Sequence, residues 1–229
     1  MRTLLIVFIA AAMVACNGYQ YVSSPHYVPM HKKKGEVVMD LTYNSAQAGY
    51  SVSDHLCVFA TAYRHKGETF SIYNDDNSEH RSKSGEVNIG AGYFRKCGMF
   101  FSDVLMGGGL GSVTYYYYYP QRAYDYFDVG DYRFKMKSDK INIYIQPSVG
   151  CTFGKYFEAN VFSRFNFHQY YHINATMETG GYFKQMKNQH LRFYNRQKRD
   201  LFFIEPGIVL RVGSPLIKFQ STFSCCWSG

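Results

Sequence analysis

Charge, tryptophan and long apolar runs are all scarce in this chain. Charged residues make up 18% of 229 residues, and Trp occurs once, against about a quarter charged in an ordinary soluble domain. The apolar run Leu4 to Ala12 is too short to cross a bilayer as a helix. A phosphate loop is excluded at the glycine stretch Gly107-Gly108-Gly109-Leu110-Gly111. No Lys-Ser/Thr pair follows it, and the G-x-G-x-x-G spacing fails at Ser112. Close backbone packing within a strand is the reading left for it. The six cysteines fall to five once Cys16 is assigned to the export signal. An odd number gives no closed disulfide framework, so small buried residues or one bridge are expected.

Aromatic residues are abundant, with 22 Tyr and 19 Phe. The net charge is +8, but the basic residues form no single tract bearing a nucleic-acid motif. Anionic lipid or glycan headgroups are therefore the expected partners, and no nucleic acid. Mean hydropathy is -0.29. A barrel gives no global membrane signal, because its strands alternate.

The clearest pattern lies between Lys140 and His168. Ile141, Ile143, Ile145, Val149, Cys151 and Phe153 share one face. Asn142, Tyr144, Gln146, Ser148, Gly150, Thr152 and Gly154 share the other. After a turn at Gly154-Lys155 the alternation resumes, with Phe157, Ala159, Val161, Phe165 and Phe167 against Glu158, Asn160, Arg164, Asn166 and His168. Period two over this length predicts a β-hairpin whose faces meet different media.

The same alternation predicts about eight antiparallel strands. The first runs from Glu36 to Tyr50, with a phase slip near Ser45 read as a bulge. The others run from about Leu56 to Arg64, Val87 to Tyr93, Met99 to Tyr116, through the hairpin above, then Phe202 to Gly213 and Ile217 to Phe223. Long loops are expected at about His65–Ser84, Tyr118–Asp139 and Tyr170–Lys198. Gly90, Gly92, Gly150, Gly154, Gly207 and Gly213 all sit in the polar register. Glycine weakens an exposed strand face but makes room in a crowded interior. The polar register is therefore assigned to the lumen, where Glu158, Arg164, Glu205 and Arg211 form a polar network. The Ile, Val and Phe register is assigned to lipid. The fold class expected is all-β: a single antiparallel up-and-down transmembrane barrel over residues 35–224, with a tail at 225–229. Tyr115 to Tyr119, with Tyr43, Tyr63 and Tyr93, are expected in an aromatic girdle.

At the N-terminus, Arg2 and the apolar run lead to Met13-Val14-Ala15-Cys16. Small residues before a cysteine resemble the lipobox of bacterial lipoprotein signals. That resemblance implies cleavage of residues 1–15 and lipidation of Cys16. Residues 16–34, with Pro25, Pro29 and Lys32-Lys33-Lys34, show neither helix nor strand period and read as an extended arm.

The whole of Glu36 to Phe223 resembles the small eight-stranded outer-membrane β-barrels of Gram-negative bacteria. The turn Gly49-Tyr50-Ser51-Val52-Ser53-Asp54-His55-Leu56 is similar to their strand–turn–strand signature. Pro25…Pro29-Met30…Lys34-Gly35-Glu36 resembles lipidated small barrels of Bacteroidetes-type bacteria. The resemblance implies an outer-membrane address and no particular activity. One departure stands out. With eight strands both termini lie beside the long connections, whereas such barrels keep their termini beside the short turns. Termini on the cell surface, an arm that threads or wraps the barrel, or a strand count wrong by one would each reconcile this.

The third long region carries Lys184, Lys187, Arg192, Arg196, Lys198 and Arg199, with no acidic residue between Glu178 and Asp200. Tyr182, Phe183, Phe193 and Tyr194 are interleaved. It is the loop-binding candidate for lipopolysaccharide, anionic glycan or a protein, with a solvated basic loop as the plainer reading. His168 and His172 are four apart, but four residues along a strand do not converge on a metal. No metal, cofactor or catalytic group is expected. The function read from the sequence is non-enzymatic, envelope-structural or loop-binding. A small lipid-modifying enzyme and a soluble lipocalin-like carrier are the alternatives.

Overall fold

The computed structural model describes residues 26–28, 30–70, 79–119, 123–124, 127–128, 132–179, 200–214 and 217–228. No helix occurs among them. In chain order the strands are β1 (Val37–Leu41), β2 (Ser45–Ser51), β3 (Leu56–Phe70), β4 (Glu79–Cys97), β5 (Phe100–Tyr119), β6 (Ala123–Tyr124), β7 (Phe127–Asp128), β8 (Tyr132–Phe153), β9 (Phe157–Thr179), β10 (Asp200–Gly213), β11 (Lys218–Ser224) and β12 (Trp227–Ser228). One curled antiparallel sheet takes them in the order β1-β2-β3-β4-β5-β8-β9-β10-β11. The pair β6–β7 forms a small separate ladder.

Nine strands, not eight, make this path. The extra one comes from the predicted first strand. Val37 pairs with Tyr50 and Leu41 with Ala46, so β1 and β2 are a hairpin. What reads as a bulge near Ser45 is its turn. The Thr42 hydroxyl accepts from the Ser45 amide at 3.0 Å, and the Thr42 amide donates to the Ser45 carbonyl at 2.8 Å. The added strand moves the N-terminal end to the short turns and leaves the C-terminal end where the sequence put it. β1 starts beside the short turns, and the last strand ends beside the long connections. Among the described residues β1 and β11 do not pair with each other, so the sheet curls without a continuous ring of ladders.

The expected tail also belongs to the sheet. β12 pairs with β10 in the same register as β11: Gly207 opposes Ser224, and Phe203 opposes Ser228. The two pieces are one strand, interrupted opposite Pro206. The Cys225 amide still donates to the Pro206 carbonyl at 3.1 Å, but proline has no N–H to complete that ladder pair.

Strands run well into the expected loops. β3 and β4 pair out to Phe70 and Glu79, and β8 pairs with β9 out to Tyr132 and Thr179. On β3 and β4 the alternation fades there because both faces become polar, and on β8 it inverts, with Phe134 and Met136 inward and Arg133, Lys135 and Lys137 outward.

Burial follows the alternation. Met39 is 70% exposed, Ile89 69% and Ile143 64%, whereas Arg164 is 2% exposed and Glu205 fully buried. The outward set on β8 from Ile141 to Cys151 spans about 25 Å, at about 3.4 Å per residue and a tilt of about 40°. Inward glycines lie opposite rings. Gly90 faces Phe59, Gly107 faces Tyr144, Gly150 faces Phe101 and Gly207 faces Phe162. A Cβ at any of the four would strike the facing ring, so each glycine lets an aromatic ring lie across its strand. The aromatic girdle is only partly as expected. Tyr43 and Tyr93 point outward, but Tyr63 and Tyr115 are buried in the interior.

Candidate functional site in the polar interior

The interior is filled by side chains of the polar register and by the chain's own residues 26–28 and 30–32. This segment carries no strand pattern, and several of its backbone polar groups bond to the wall. Gln146 donates to the Tyr27 carbonyl at 2.7 Å, and Arg211 donates to the Val28 carbonyl at 2.5 Å. Ser51 and the His31 Nδ1 share a hydrogen bond of 2.8 Å. At the short-turn end the Lys34 amide donates to Asp54 and the Gly35 amide to the Ser51 carbonyl, each at 2.9 Å. Gly35, at φ 78, then reverses the chain into β1.

Side chains of the segment dock as closely as its backbone. The His26 ring is 2.7 Å from a Glu205 carboxylate oxygen and lies 4.5 Å from the Phe162 ring centre. Tyr27 packs on Phe59, and Gly49 leaves space for its hydroxyl. Val28 and Met30 join Phe101, Phe162 and Val209 in one apolar cluster. Lys32 reaches Glu158 at 2.5 Å, and Lys218 reaches the same carboxylate oxygen from β11. Segment and wall therefore share one core.

All four residues expected in the lumen network are buried there. Neither Glu158 with Arg164 nor Glu205 with Arg211 can pair along its own strand, because six residues separate the members of each pair by about 20 Å. The β9–β10 ladder sets Glu158 opposite Arg211 and Arg164 opposite Glu205. Glu158 takes Lys32 and Lys218, and Glu205 takes His26. Arg211 donates to Gln220 at 2.6 Å as well as to Val28. Arg164 donates to Gln146 at 2.9 Å and lies 4.5 Å from the Tyr144 ring centre. The arm supplies His26 and Lys32 to this network, and the wall supplies Lys218.

A second polar group lies farther toward the long connections. Lys140 pairs with Glu86 at 2.5 Å and donates to the Tyr63 hydroxyl at 3.2 Å. Asn88 bridges Glu86 and Thr61. Gly109 and Gly111 leave the space that Asn88, Glu86 and Lys140 occupy, the close packing expected of that glycine stretch. Above it Val113, Tyr115, Phe134, Met136 and Tyr170 form an apolar layer. Lys140, Glu86 and the docking residues His26 and His31 are absent from the sequence-derived set. Lys140 and Glu86 are legible in hindsight as charges in the polar register. The two histidines fall in a segment without periodicity.

His31 is held neutral. Burial, reinforced by the Arg211 guanidinium, lowers its pKa from 6.5 to about 4. His168 and His172 do not converge. His172 takes a positive φ of 49 at a bulge opposite Ser138, which leaves it exposed beside Asp139, whereas His168 is buried in the lumen. Among the described residues no group of His, Cys, Asp and Glu is arranged for a metal, and no disulfide forms. Cys16 lies outside the described residues, as do Lys184, Lys187, Arg192, Arg196, Lys198 and Arg199. No protein family, characterised protein or solved structure was found to match this chain.

Proposed function

We propose that this chain is a non-enzymatic outer-membrane β-barrel lipoprotein, anchored through Cys16 and plugged by its own N-terminal segment. Its role is to hold a stable wall in the envelope and to present the long connections for binding lipid, anionic glycan or a partner. The observation that carries this reading is the inverted distribution of polarity. Ile, Val, Met and Phe stand exposed on the outer face of the sheet, while Arg164, Lys140, Glu86, Glu158 and Glu205 are buried within. In water that arrangement leaves a large apolar patch exposed and buries charge at a cost. In lipid the outer face meets its matching solvent.

A soluble carrier of an apolar ligand needs the opposite facing of every strand. A conducting role is opposed by residues 26–28 and 30–32, which pack into the interior. The buried carboxylates are engaged by Lys32, Lys218, Lys140 and His26, which favours a structural polar plug over acid–base chemistry.

The test is fractionation followed by detergent gels of unboiled and boiled samples. The expected result is recovery in the outer-membrane fraction with a heat-dependent mobility shift. Release into the soluble fraction on replacing Cys16, with no mobility shift, would sink the reading.

A further inference from the structure

We propose that the outer face of β3, β4, β5 and β8, directly beyond the apolar band, is a seat for the phosphate group of a membrane lipid. The inference rests on the membrane-spanning reading above and names a partner for it. Along these strands the outward register changes character abruptly. On β3, Val58, Ala60 and Ala62 give way to Arg64 and Lys66. On β4, Ile89 and Val87 give way to Lys83 and Arg81. On β8, Ile143 and Ile141 give way, after Asp139, to Lys137, Lys135 and Arg133. All six of these basic residues beyond Arg64 are exposed.

The ladder brings three of these cations into one row. Lys66 stands directly opposite Lys83, Lys83 opposite Thr114, and Thr114 opposite Lys137. Like charges directly opposite on neighbouring strands destabilise a sheet. Among the described residues no carboxylate lies within 4.0 Å of Lys66, Lys83 or Lys137 to offset this. Tyr116, one row farther out, holds Lys83 and Lys135 over its ring at 5.5 and 5.4 Å.

A hollow of about 830 Å³ adjoins the row. The small residues Ala46, Ala62, Gly85 and Ser112 help to line it, together with Leu41, Val87, Arg64, Lys66 and Lys83. It opens where the β1–β2 tip ends lower than β3, and there it also reaches the lumen residues Tyr63 and Glu86. A lipid in the adjoining leaflet would lay its headgroup over the small residues. Its phosphate would meet ammonium donors at headgroup level, where anions gather them. Three lysines set in one row beside a hollow match a phosphorylated headgroup better than a protein or a glycan without phosphate.

The experiment uses the full-length chain purified in a zwitterionic detergent and titrated with phosphatidic acid, whose headgroup is a phosphate monoester. Phosphatidylcholine and inorganic phosphate serve as comparison probes. Binding is read by native mass spectrometry. K66Q/K83Q/K137Q is expected to weaken phosphatidic acid binding by about tenfold or more, as lost charge-assisted contacts imply. R95Q/K96Q/K155Q, at the short-turn end, is expected to leave it unchanged. Equal binding by both triple variants overturns the proposal, and so does equal competition by inorganic phosphate. The heat-dependent mobility shift is recorded for each variant. A normal shift with unchanged lipid binding removes the lipid seat alone. No shift even in the unaltered chain removes the barrel reading and the seat with it. If the first triple variant fails to fold, K66Q and K137Q singly are expected to show graded losses, and no loss in either overturns the seat.

Discussion

At the scale of single residues, the interior is held by unlike neighbours fitted across ladders. The Gly150–Phe101 pair shows this best, since the ring occupies the space that a Cβ at 150 would take. Gly150→Val is expected to destabilise the fold by about 1–3 kcal/mol, the usual range for overpacking. Urea unfolding checks it, and adding Phe101→Leu should recover part of the loss. Gly154, exposed at φ 64, and Gly213, at φ 152, serve the turns, whereas Gly90, Gly92, Gly150 and Gly207 were legible as interior residues from their register. The side chains facing those four were not, because register between strands depends on turns that the alternation alone does not place. A pH effect arises at His31, beside Ser51 at the end of β2. A released His31 takes up a proton near its ordinary value of about 6.5, whereas the docked ring does so only near about 4. Between these values the released state holds the extra proton. Docking of segment 30–35 is therefore full above pH 7 and weakens as pH falls through that window. Hydrogen exchange of these amides at pH 7 and pH 5 should show the loss, and His31→Gln should flatten it. Equal protection at both pH values in the unaltered chain would refute the effect.

At the scale of elements, alternation identified the walls and missed their extent. It is readable where one face meets apolar surroundings and the other a polar interior, as from Ile141 to Cys151. It fades where both faces are polar, which hid the pairing of Phe70 with Glu79, and it inverts toward Tyr132, where Phe134 and Met136 turn inward and basic residues outward. The β1–β2 turn went unread for another reason. Thr42-Tyr43-Asn44 carries no glycine, and a slip of phase reads equally well as a bulge or a turn. At the other end of the chain a single residue divides one strand into β11 and β12. Pro206 accepts from Cys225 and returns no N–H. Pro206→Val restores that donor, so it is expected to strengthen the C-terminal strand by up to about 1 kcal/mol, the net worth of one hydrogen bond. Slower amide exchange at residues 225–228 would show it. Unchanged or faster exchange would mean that the proline sets the local bend.

At the scale of the whole molecule, the odd strand number decides how the sheet's edges relate. Eight antiparallel steps separate β1 from β11, so the two run in the same direction, and any pairing between them is parallel. Both edges border one hollow of about 340 Å³, lined by Asp40, Lys32, Glu158 and Gln220 among others. In water an open edge is tolerable, since solvent satisfies its N–H and C=O groups. In hydrocarbon each unsatisfied group costs several kcal/mol. If the outer face meets lipid, the two edges must approach and pair, with Lys32 and Lys218 held at the seam through Glu158. Asp40→Cys with Gln220→Cys, in a chain whose other cysteines are serine, is expected to cross-link within one molecule under a short bifunctional thiol reagent in membranes. The linked form should keep its fast gel mobility at temperatures that unfold the unlinked one. Cross-links only between copies would mean instead that each edge is closed by another molecule's strand, and that the barrel is completed by assembly.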